Sequence, residues 1–372
     1  MRDFGGMISR SPRLVVRPTS ASEIADAIQD AETDGAAVIA RGCGHSTCGE
    51  SLTDDITLDM RSMASIHRLD DDRVTVGAGA TWREVLEATL PRGLMPPVLT
   101  DYLDLTVGGT LSAAGIGGTS HIHGTQAANV LELEVVTPTA RIVTCTPVHR
   151  RQLFDAVRAG MGRHGVIAAA TLRLVAAPER VLSCRVRYDS VAKLIAAQRR
   201  IKADHISGQA KSGGFEVKAV LYDATRPPAG LSSTDVEELA FIDFADRMRP
   251  DVAKLVEIGE WDRPHPWGQV IVPAAHAGAI IERTLADATP SDLGLSGVVL
   301  IKRFHPGQVP MLRAPSDAVI FGLLRTASPG CHSAAEMSAA NDRLYNSAGA
   351  VGGVPYPPTA TVEVGAVAPT DA

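Results

Sequence analysis

The chain has 372 residues, of which 45% are hydrophobic and 21% are charged, and its net charge is −6. This composition is typical of a globular protein of two or three domains, and it excludes a disordered chain. The arginines are scattered rather than clustered, which argues against a nucleic-acid partner. Because no long apolar stretch and no apolar segment near the amino terminus occur, we predict no membrane partner and a cytoplasmic location.

Five widely spaced cysteines bear on the redox and metal chemistry: Cys43, Cys48, Cys145, Cys184 and Cys331. Their odd number and the lack of a C-x-x-C pair argue against a disulfide framework and a zinc site. Cys43 and Cys48 have C-x4-C spacing, but no second pair lies nearby. We therefore predict no metal site.

Short β-branched runs alternate with helical stretches over residues 12–174. The pattern predicts a strand at 14–18, a helix from Ser20 to Asp30 with Ser20 as its N-cap, and a strand at 36–40. His45 lies in the turn after that strand, at the carboxyl end where ligands of α/β sheets bind. Further strands are predicted at 56–60, 73–79, 129–137, 140–145 and 166–175, and further helices at 82–90 and 152–158.

The sequence pattern from residue 180 to about residue 330 predicts a second, α+β domain. We expect strands at 181–188, 215–222, 267–272 and 298–302, and helices at 191–202 and 235–244. From Gly349 onward the sequence is rich in Gly, Pro and Ala without periodicity, which predicts loop or disorder. The predicted domains are therefore 1–178, 179–330 and a partly irregular C-terminal remnant at 331–372.

Two glycine-rich segments carry the strongest functional signal: Arg41-Gly-Cys-Gly-His-Ser46, and the run from Thr106 to Ser120. Glycine lets backbone N–H groups approach an anion, and the neighbouring hydroxyls add donors, which suits a nucleotide pyrophosphate. The sequence has neither a G-x-G-x-x-G helix start followed by the expected acidic residue nor a Walker A lysine. A Rossmann dinucleotide site and an NTPase are therefore disfavoured.

Further motifs accompany these segments in a fixed order: Asp3-Phe-Gly, Thr100-Asp-Tyr-Leu-Asp-Leu-Thr-Val-Gly-Gly-Thr-Leu-Ser112, the segment 129–137, Gly162-Arg-His-Gly-Val-Ile and Pro264-His-Pro-Trp267. In this order the sequence resembles flavoproteins of the vanillyl-alcohol-oxidase type, and among them the cytokinin dehydrogenases. The resemblance spans residues 3 to about 270. It implies an α+β fold, with a two-subdomain PCMH-type FAD-binding fold and an α+β substrate domain built on an antiparallel sheet.

The resemblance implies FAD as the cofactor, linked covalently through His45, which matches the family position bonded to the flavin methyl carbon. A capping or hydrogen-bonded histidine in a turn is the alternative interpretation. A histidyl link withdraws electrons from the flavin and favours oxidation of an unreactive C–N bond. Because Leu103-Asp-Leu105 lacks a cysteine, no second flavin link is expected. The other matching cofactor positions are Gly42, Cys43, Gly44, Ser46, Glu50, Thr106, Ser112, Ile116 and Val166.

Asp101 matches the family carboxylate that faces the flavin and the substrate nitrogen. From the residues alone, Asp101 is an ordinary turn residue, and the nearby Asp104 could take the same role. The resemblance implies that Asp101 accepts the N–H proton of an N6-alkenyl adenine while a hydride leaves the allylic carbon for the flavin. Water then hydrolyses the imine to adenine and an aldehyde, and oxygen or a quinone is the electron acceptor.

Three residues of the second domain match substrate positions of the family. Trp267 corresponds to an aromatic of the pocket, which suits a flat purine and an apolar tail, although a core tryptophan is the alternative. Gln269 stands where the family usually has Asn, and Glu216 corresponds to a purine-binding Glu on a poor local match.

Two other functions stay open. A sugar or alcohol oxidase on the same scaffold would use the two glycine-rich segments and His45, and Asp101 would have no catalytic role. An inactive flavoprotein is the other alternative. The family's final segment, which covers the flavin, has no counterpart after Tyr356, although Val354-Pro-Tyr-Pro357 resembles its start. We therefore expect a truncated or shifted tail that leaves part of the cleft open to water.

Overall fold

The computed structural model describes residues 1–211, 213–227, 231 and 235–358. Its strands are β1 (Leu14–Val16), β2 (Val38–Arg41), β3 (Ile56–Asp59), β4 (Ile66–Leu69), β5 (Arg73–Gly77), β6 (Leu94–Met95), β7 (Val130–Val136), β8 (Ile142–Cys145), β9 (Val166–Arg173), β10 (Val175–Ala176), β11 (Arg180–Tyr188), β12 (His205–Lys211), β13 (Gly214–Tyr222), β14 (Asp235–Ala240), β15 (Gly268–Pro273), β16 (Val298–Phe304), β17 (Ala318–Leu324) and β18 (Val354–Pro355). Its helices are α1 (Ala21–Asp34), α2 (Trp82–Thr89), α3 (Val107–Ser112), α4 (Ser120–His123), α5 (Arg151–Val157), α6 (Val191–Arg200), α7 (Phe241–Ala245), α8 (Met248–Glu257), α9 (Ala274–Ala286), α10 (Pro290–Leu293) and α11 (Ala334–Gly349).

Two sheets form most of the amino-terminal part of the protein, and β6 and β10 pair in a separate two-stranded sheet. A parallel sheet in the order β1-β3-β2 is followed by an antiparallel sheet in the order β4-β5-β9-β7-β8. Helix α1 begins where the sequence predicts, because the Ser20 hydroxyl accepts the backbone N–H of Glu23 at 3.2 Å. The two sheets form the two subdomains expected of the FAD-binding fold.

The second part of the protein is built on one antiparallel sheet of eight strands, in the order β14-β11-β13-β12-β16-β17-β15-β18. Helices α6, α9 and α11 pack together with this sheet, around a core that includes Leu194, Ile281, Phe321 and Leu344. The predicted α+β fold class with an antiparallel substrate domain is therefore confirmed.

The segment 235–244 corrects a prediction. We predict a helix there, but Asp235–Ala240 is the edge strand β14, and the helix α7 begins only at Phe241. β14 pairs antiparallel with β11, where Asp235 lies opposite Arg185 and Glu238 forms an ion pair with Arg180. Cross-strand charge pairs stabilise this acidic edge strand. A sequence pattern among neighbouring residues does not reveal such pairs.

The carboxyl-terminal region is more regular than the composition suggests. Helix α11 packs against β15, and within the segment predicted as loop the short strand β18 adds to the edge of the sheet. Tyr356 follows β18, and its backbone N–H donates to the Gln269 carbonyl at 2.9 Å. The predicted tail from residue 359 onward lies outside the described residues.

One apolar core runs through the junction of the two halves. It joins buried residues of the first sheets, such as Val74 and Leu133, to Phe244, Phe304 and Ile320 of the second part. The halves therefore share a packed interface, and the site described next lies along it. In the described residues, we find no helix with the length and apolar character that crossing a bilayer requires.

Candidate functional site

The turn that contains His45 follows β2 and contacts the second glycine-rich segment. A Cβ atom at Gly42 would lie 2.0 Å from the Thr106 hydroxyl oxygen, so only glycine allows this approach. Gly44 has a φ of +70°, a conformation that glycine adopts without strain. The two segments that the sequence singles out are thus neighbours in space.

The amino-terminal segment runs along this turn and holds it. The backbone N–H of Phe4 donates to the Gly44 carbonyl at 2.9 Å, and that of Gly5 donates to the Ser46 carbonyl at 3.0 Å. The buried Asp3 carboxylate accepts the N–H of Gly49 at 2.7 Å. The bonds from Phe4 and Gly5 use carbonyl groups of the turn and none of its N–H groups.

An aromatic cluster surrounds His45 where the first domain meets the second. Phe4 lies between two imidazoles, with ring centroids 4.0 Å from His45 and 4.0 Å from His265. Tyr102 stands 5.3 Å from His45, and Trp267 stands edge-on to it at 5.8 Å. We call Phe4, His45, Tyr102, Trp261, His265 and Trp267 the aromatic cluster.

The His45 imidazole is neutral. Burial among the surrounding protein and, to a smaller extent, the neighbouring His265 lower its pKa to about 3. Neither ring nitrogen of His45 makes a hydrogen bond within the described part of the chain. A neutral imidazole with free nitrogens is a competent nucleophile toward an electrophilic carbon.

Asp101 lies one residue before Tyr102 and carries two ion pairs. Its Oδ2 atom is 2.7 Å from Lys302 Nζ, and its Oδ1 atom is 2.5 Å from Arg247 Nη2. Burial alone would raise the pKa of this carboxyl, but the charges of Lys302 and Arg247 outweigh it and hold the pKa well below its usual range. Asp101 is therefore an ionised acceptor at the domain junction.

Asp104, the competing acidic residue, is engaged elsewhere. It forms an ion pair with Arg83, which also binds Asp246 at 2.6 Å. Asp104 is thus part of a charge network that joins the helix α2 to the segment between α7 and α8.

His205 lies behind Asp101 and is almost fully buried, with 4% of its surface exposed. Its ring packs against Gly118, where an added Cβ would lie 2.1 Å from the imidazole, and edge-on to Phe244 at 5.0 Å. Burial, with the charge of Arg247, lowers the pKa of His205 well below its usual value. The histidine is therefore neutral, and its Nε2 atom has no hydrogen-bond partner among the described residues.

The His45 turn fits the cofactor that the resemblance implies. Within the described residues, the backbone N–H groups of Cys43, Gly44, His45 and Ser46 donate no hydrogen bond, so four successive amides are free for an anion. An open cleft of about 540 Å³, lined partly by Phe4, His45, Tyr102 and Trp261, adjoins them. By contrast, the N–H groups at 107 and 108 are used by the carbonyls at 80 and 78.

The other predicted cofactor residues differ in how the structure uses them. Thr106 is buried at the start of α3, and the Ser112 hydroxyl donates to the Gly108 carbonyl at 2.8 Å. The Glu50 carboxylate accepts the N–H of Cys48 at 2.8 Å, within the turn. Val166 opens β9 in the core opposite Val136. The amides at 115 and 116 face the phenol of the partly buried Tyr356, and desolvation raises the pKa of that phenol to about 12.

Two of the three predicted substrate residues, Gln269 and Glu216, lie on the eight-stranded sheet, and Trp267 immediately precedes its strand β15. Trp267 meets His45 in the aromatic cluster, and Gln269 follows two residues later in β15, 8% exposed. Glu216 lies on β13, two positions from Lys218 and therefore on the same face. Lys218 contributes to the positive charge around Asp101.

Lys302 and Arg247 escape the sequence analysis. Lys302 occurs within the apolar strand Val298–Phe304 and is 2% exposed, and a lysine in such a strand signals a buried partner. Arg247 has no comparable signal. His265 and Trp261 lie in or near the Pro264-His-Pro-Trp267 motif, but their contact with Phe4 depends on the tertiary structure.

Comparisons with known proteins agree with this geometry. An FAD binding domain matches residues 12–146, and the domain described as cytokinin dehydrogenase 1, FAD and cytokinin binding, matches residues 230–348. An uncharacterized oxidoreductase of the fasciation locus of Rhodococcoides fascians is 37% identical over 95% of this chain and 86% of its own length. Cytokinin dehydrogenase 7 of Oryza sativa subsp. japonica is 32% identical over 88% of this chain and 75% of its own. Cytokinin dehydrogenase 4 of Arabidopsis thaliana is 30% identical over 92% of this chain and 79% of its own. The protein therefore belongs to the cytokinin dehydrogenase family of FAD-binding oxidoreductases.

Proposed function

We propose that this protein oxidises the C–N bond in the N6 substituent of an isopentenyladenine-type cytokinin. The meeting of His45, Trp267 and the ionised Asp101 at one domain junction carries this proposal. The relatives named as cytokinin dehydrogenases support the substrate class. The bound flavin would accept a hydride from the substrate, and oxygen or a quinone would reoxidise it.

The protein's own residues would divide the remaining work. The neutral His45 ring would hold the flavin covalently, and the free amides of residues 43–46 would bind its diphosphate. Trp261 and Trp267 would pack against the flat purine. Asp101 would accept the hydrogen bond of the N6 N–H group and take its proton as the C–N double bond forms. Water then completes hydrolysis to adenine and an aldehyde.

An alcohol or sugar oxidase remains the second candidate, and one observation favours it. Lys302 and Arg247 are two cations beside Asp101, and cations stabilise a developing alkoxide as well as a carboxylate. In that reaction the substrate hydroxyl would replace the N–H group.

The purified protein tests both candidates. We expect a yellow protein whose flavin stays with the acid-precipitated polypeptide, and whose absorbance bleaches anaerobically with N6-isopentenyladenine but not with adenine. His45→Ala should lose the acid-stable flavin. Bleaching by alcohols or sugars alone would replace the cytokinin proposal by the second candidate. Absence of flavin absorbance after reconstitution with FAD would reject both.

A further inference from the structure

The Asp101 carboxylate belongs to the first domain, but both of its ion-pair partners come from the second. Each oxygen binds a different cation, Lys302 from β16 and Arg247 from the segment between α7 and α8. We propose that Lys302 and Arg247 are positioning residues that keep Asp101 ionised and direct its remaining lone pairs toward the substrate N–H. This inference rests on the proposed function.

Both cations are held in place by their surroundings. The Lys302 side chain is 3% exposed, and Asp101 is the hydrogen-bond acceptor of its ammonium among the described residues. A buried ammonium needs such a partner, because its desolvation is otherwise uncompensated. The Arg247 guanidinium lies 4.5 Å over the Phe244 ring and donates to the Phe244 carbonyl at 2.9 Å. Two fixed cations therefore define the plane of the carboxylate.

The ion pairs leave Asp101 able to bind a substrate. An ionised carboxylate offers about four acceptor positions, of which Lys302 and Arg247 occupy two. The side chain is 35% exposed, so part of the carboxylate is accessible from outside the protein. A substrate N–H can then bind Asp101 without displacing either cation.

The charges around Asp101 decide when it can accept a proton. The charged and titratable groups that face it are Lys302 on β16, Arg247, Lys218 on β13 and the neutral His205 on β12. Burial opposes ionisation of the carboxyl, and the cations overcome that effect. Without Lys302 the pKa of Asp101 must rise, so a protonated and inactive form should accumulate as the pH falls.

The experiment measures anaerobic reduction of the bound flavin by N6-isopentenyladenine across the pH range. For the wild type we expect a rate that stays flat down to about pH 5. Lys302→Met should slow reduction about a hundredfold near pH 5 and less than about tenfold near pH 8. Lys302→Arg should restore most of the flat profile, and Lys254→Met on the exposed face of α8 is the matched control.

Two outcomes would overturn the proposal. One is a Lys302→Met variant with the wild-type rate and a flat profile. The other is an equal loss at every pH that Lys302→Arg does not repair, because that pattern indicates a merely structural lysine. If the wild-type flavin is not reduced by the adenine derivative at any pH, the proposed function fails instead.

A double-mutant cycle on stability tests the ion pair without any substrate. Asp101→Asn and Lys302→Gln should each lower the urea midpoint of unfolding, because the first leaves the buried Lys302 ammonium without its carboxylate and the second removes one of the two cations that bind Asp101. The double variant should lose less than the sum of the two single losses. Additive losses would show that the two side chains are not coupled and would reject the positioning role.

Discussion

At the scale of single residues, His45 is defined by its chemical state rather than by its position in a turn. An ordinary histidine is partly protonated below a pH of about 6.5. His45 has its pKa lowered to about 3 by burial and by His265, so it stays a free base throughout the physiological range. That state is what a covalent bond from its ring nitrogen to a flavin carbon requires.

The covalent loading of flavin should therefore depend little on pH. When apoprotein, made under flavin limitation, is incubated with FAD, the yield of acid-stable flavin should be the same at about pH 8 and about pH 5. The reason is that protonation of His45 begins only as the pH approaches its lowered pKa. Fluorescence of the acid-precipitated protein measures the yield, with His45→Ala as the blank. A yield that falls with a midpoint near 6.5 would contradict the neutral state.

At the scale of elements, the loop between α3 and α4 is positioned by contact with the eight-stranded sheet. The Gly118 carbonyl accepts the N–H of Ile206 at 2.9 Å, and the His205 ring lies against the Gly118 Cα. The loop therefore joins the glycine-rich segment to β12 without a side chain at this position.

Gly118→Ala should destabilise the protein by about 1–3 kcal/mol, because the new methyl group would overlap the buried His205 ring. Gly278→Ala is the matched control, since its Cβ meets nothing within 4 Å and it lies inside α9. That control should gain about 0.5–1 kcal/mol from the better helix propensity of alanine. Urea unfolding at neutral pH measures both. Equal effects of the two changes on the free energy of unfolding would mean that the contact with His205 does not affect stability.

The elements that sequence predicts well are those with a strong local pattern. Helix α2 begins at Trp82 as predicted, and β11 and β16 begin within a residue of their predicted starts. The helix prediction fails at Asp235–Ala240 because long-range contacts decide the structure there. The acidic side chains of this strand are compensated by arginines on β11, about fifty residues away. Helix α9 and strand β17 are not predicted, because their apolar residues do not alternate with polar ones in a way that distinguishes a helix from a strand.

At the scale of the whole molecule, charge networks join the two halves along the site. Arg83 on α2 binds Asp104 of its own domain and Asp246 of the second. The next residue, Arg247, binds Asp101. Arg247 of the second domain thus binds Asp101 directly, and the preceding residue Asp246 is linked to Asp104 through Arg83.

Arg83→Met should lower the free energy of unfolding by about 1–3 kcal/mol, because it leaves the mostly buried Asp246 with a weaker set of partners. Arg83→Lys should restore only part, since an ammonium does not reproduce the bidentate contacts. Arg13→Met removes an exposed ion pair with Asp34 and serves as control, with an expected change within about 0.5 kcal/mol. Urea midpoints measure all three, and losses of the same size for Arg83→Met and Arg13→Met would reject the network.

The residues proposed to bind an anion or to bond to the flavin could be singled out from the sequence alone. Gly42, Gly44 and His45 lie within five residues of one another, so a short stretch of sequence is enough to indicate their proposed roles. The same holds for the alternation of strands and helices, which depends on near neighbours. The roles of these residues, like those of Glu216, Gln269 and Val166, stay predictions.

Only the tertiary structure brings the remaining parts of the site together. Asp101 lies 146 residues from Arg247 and 201 residues from Lys302, and Phe4 contacts His265 from the opposite part of the sequence. No local period relates such positions, because they meet only after two sheets have folded and packed on one core. Local pattern thus indicates the candidate cofactor cradle, whereas the ionised state of Asp101 depends on charges that only the fold brings to it.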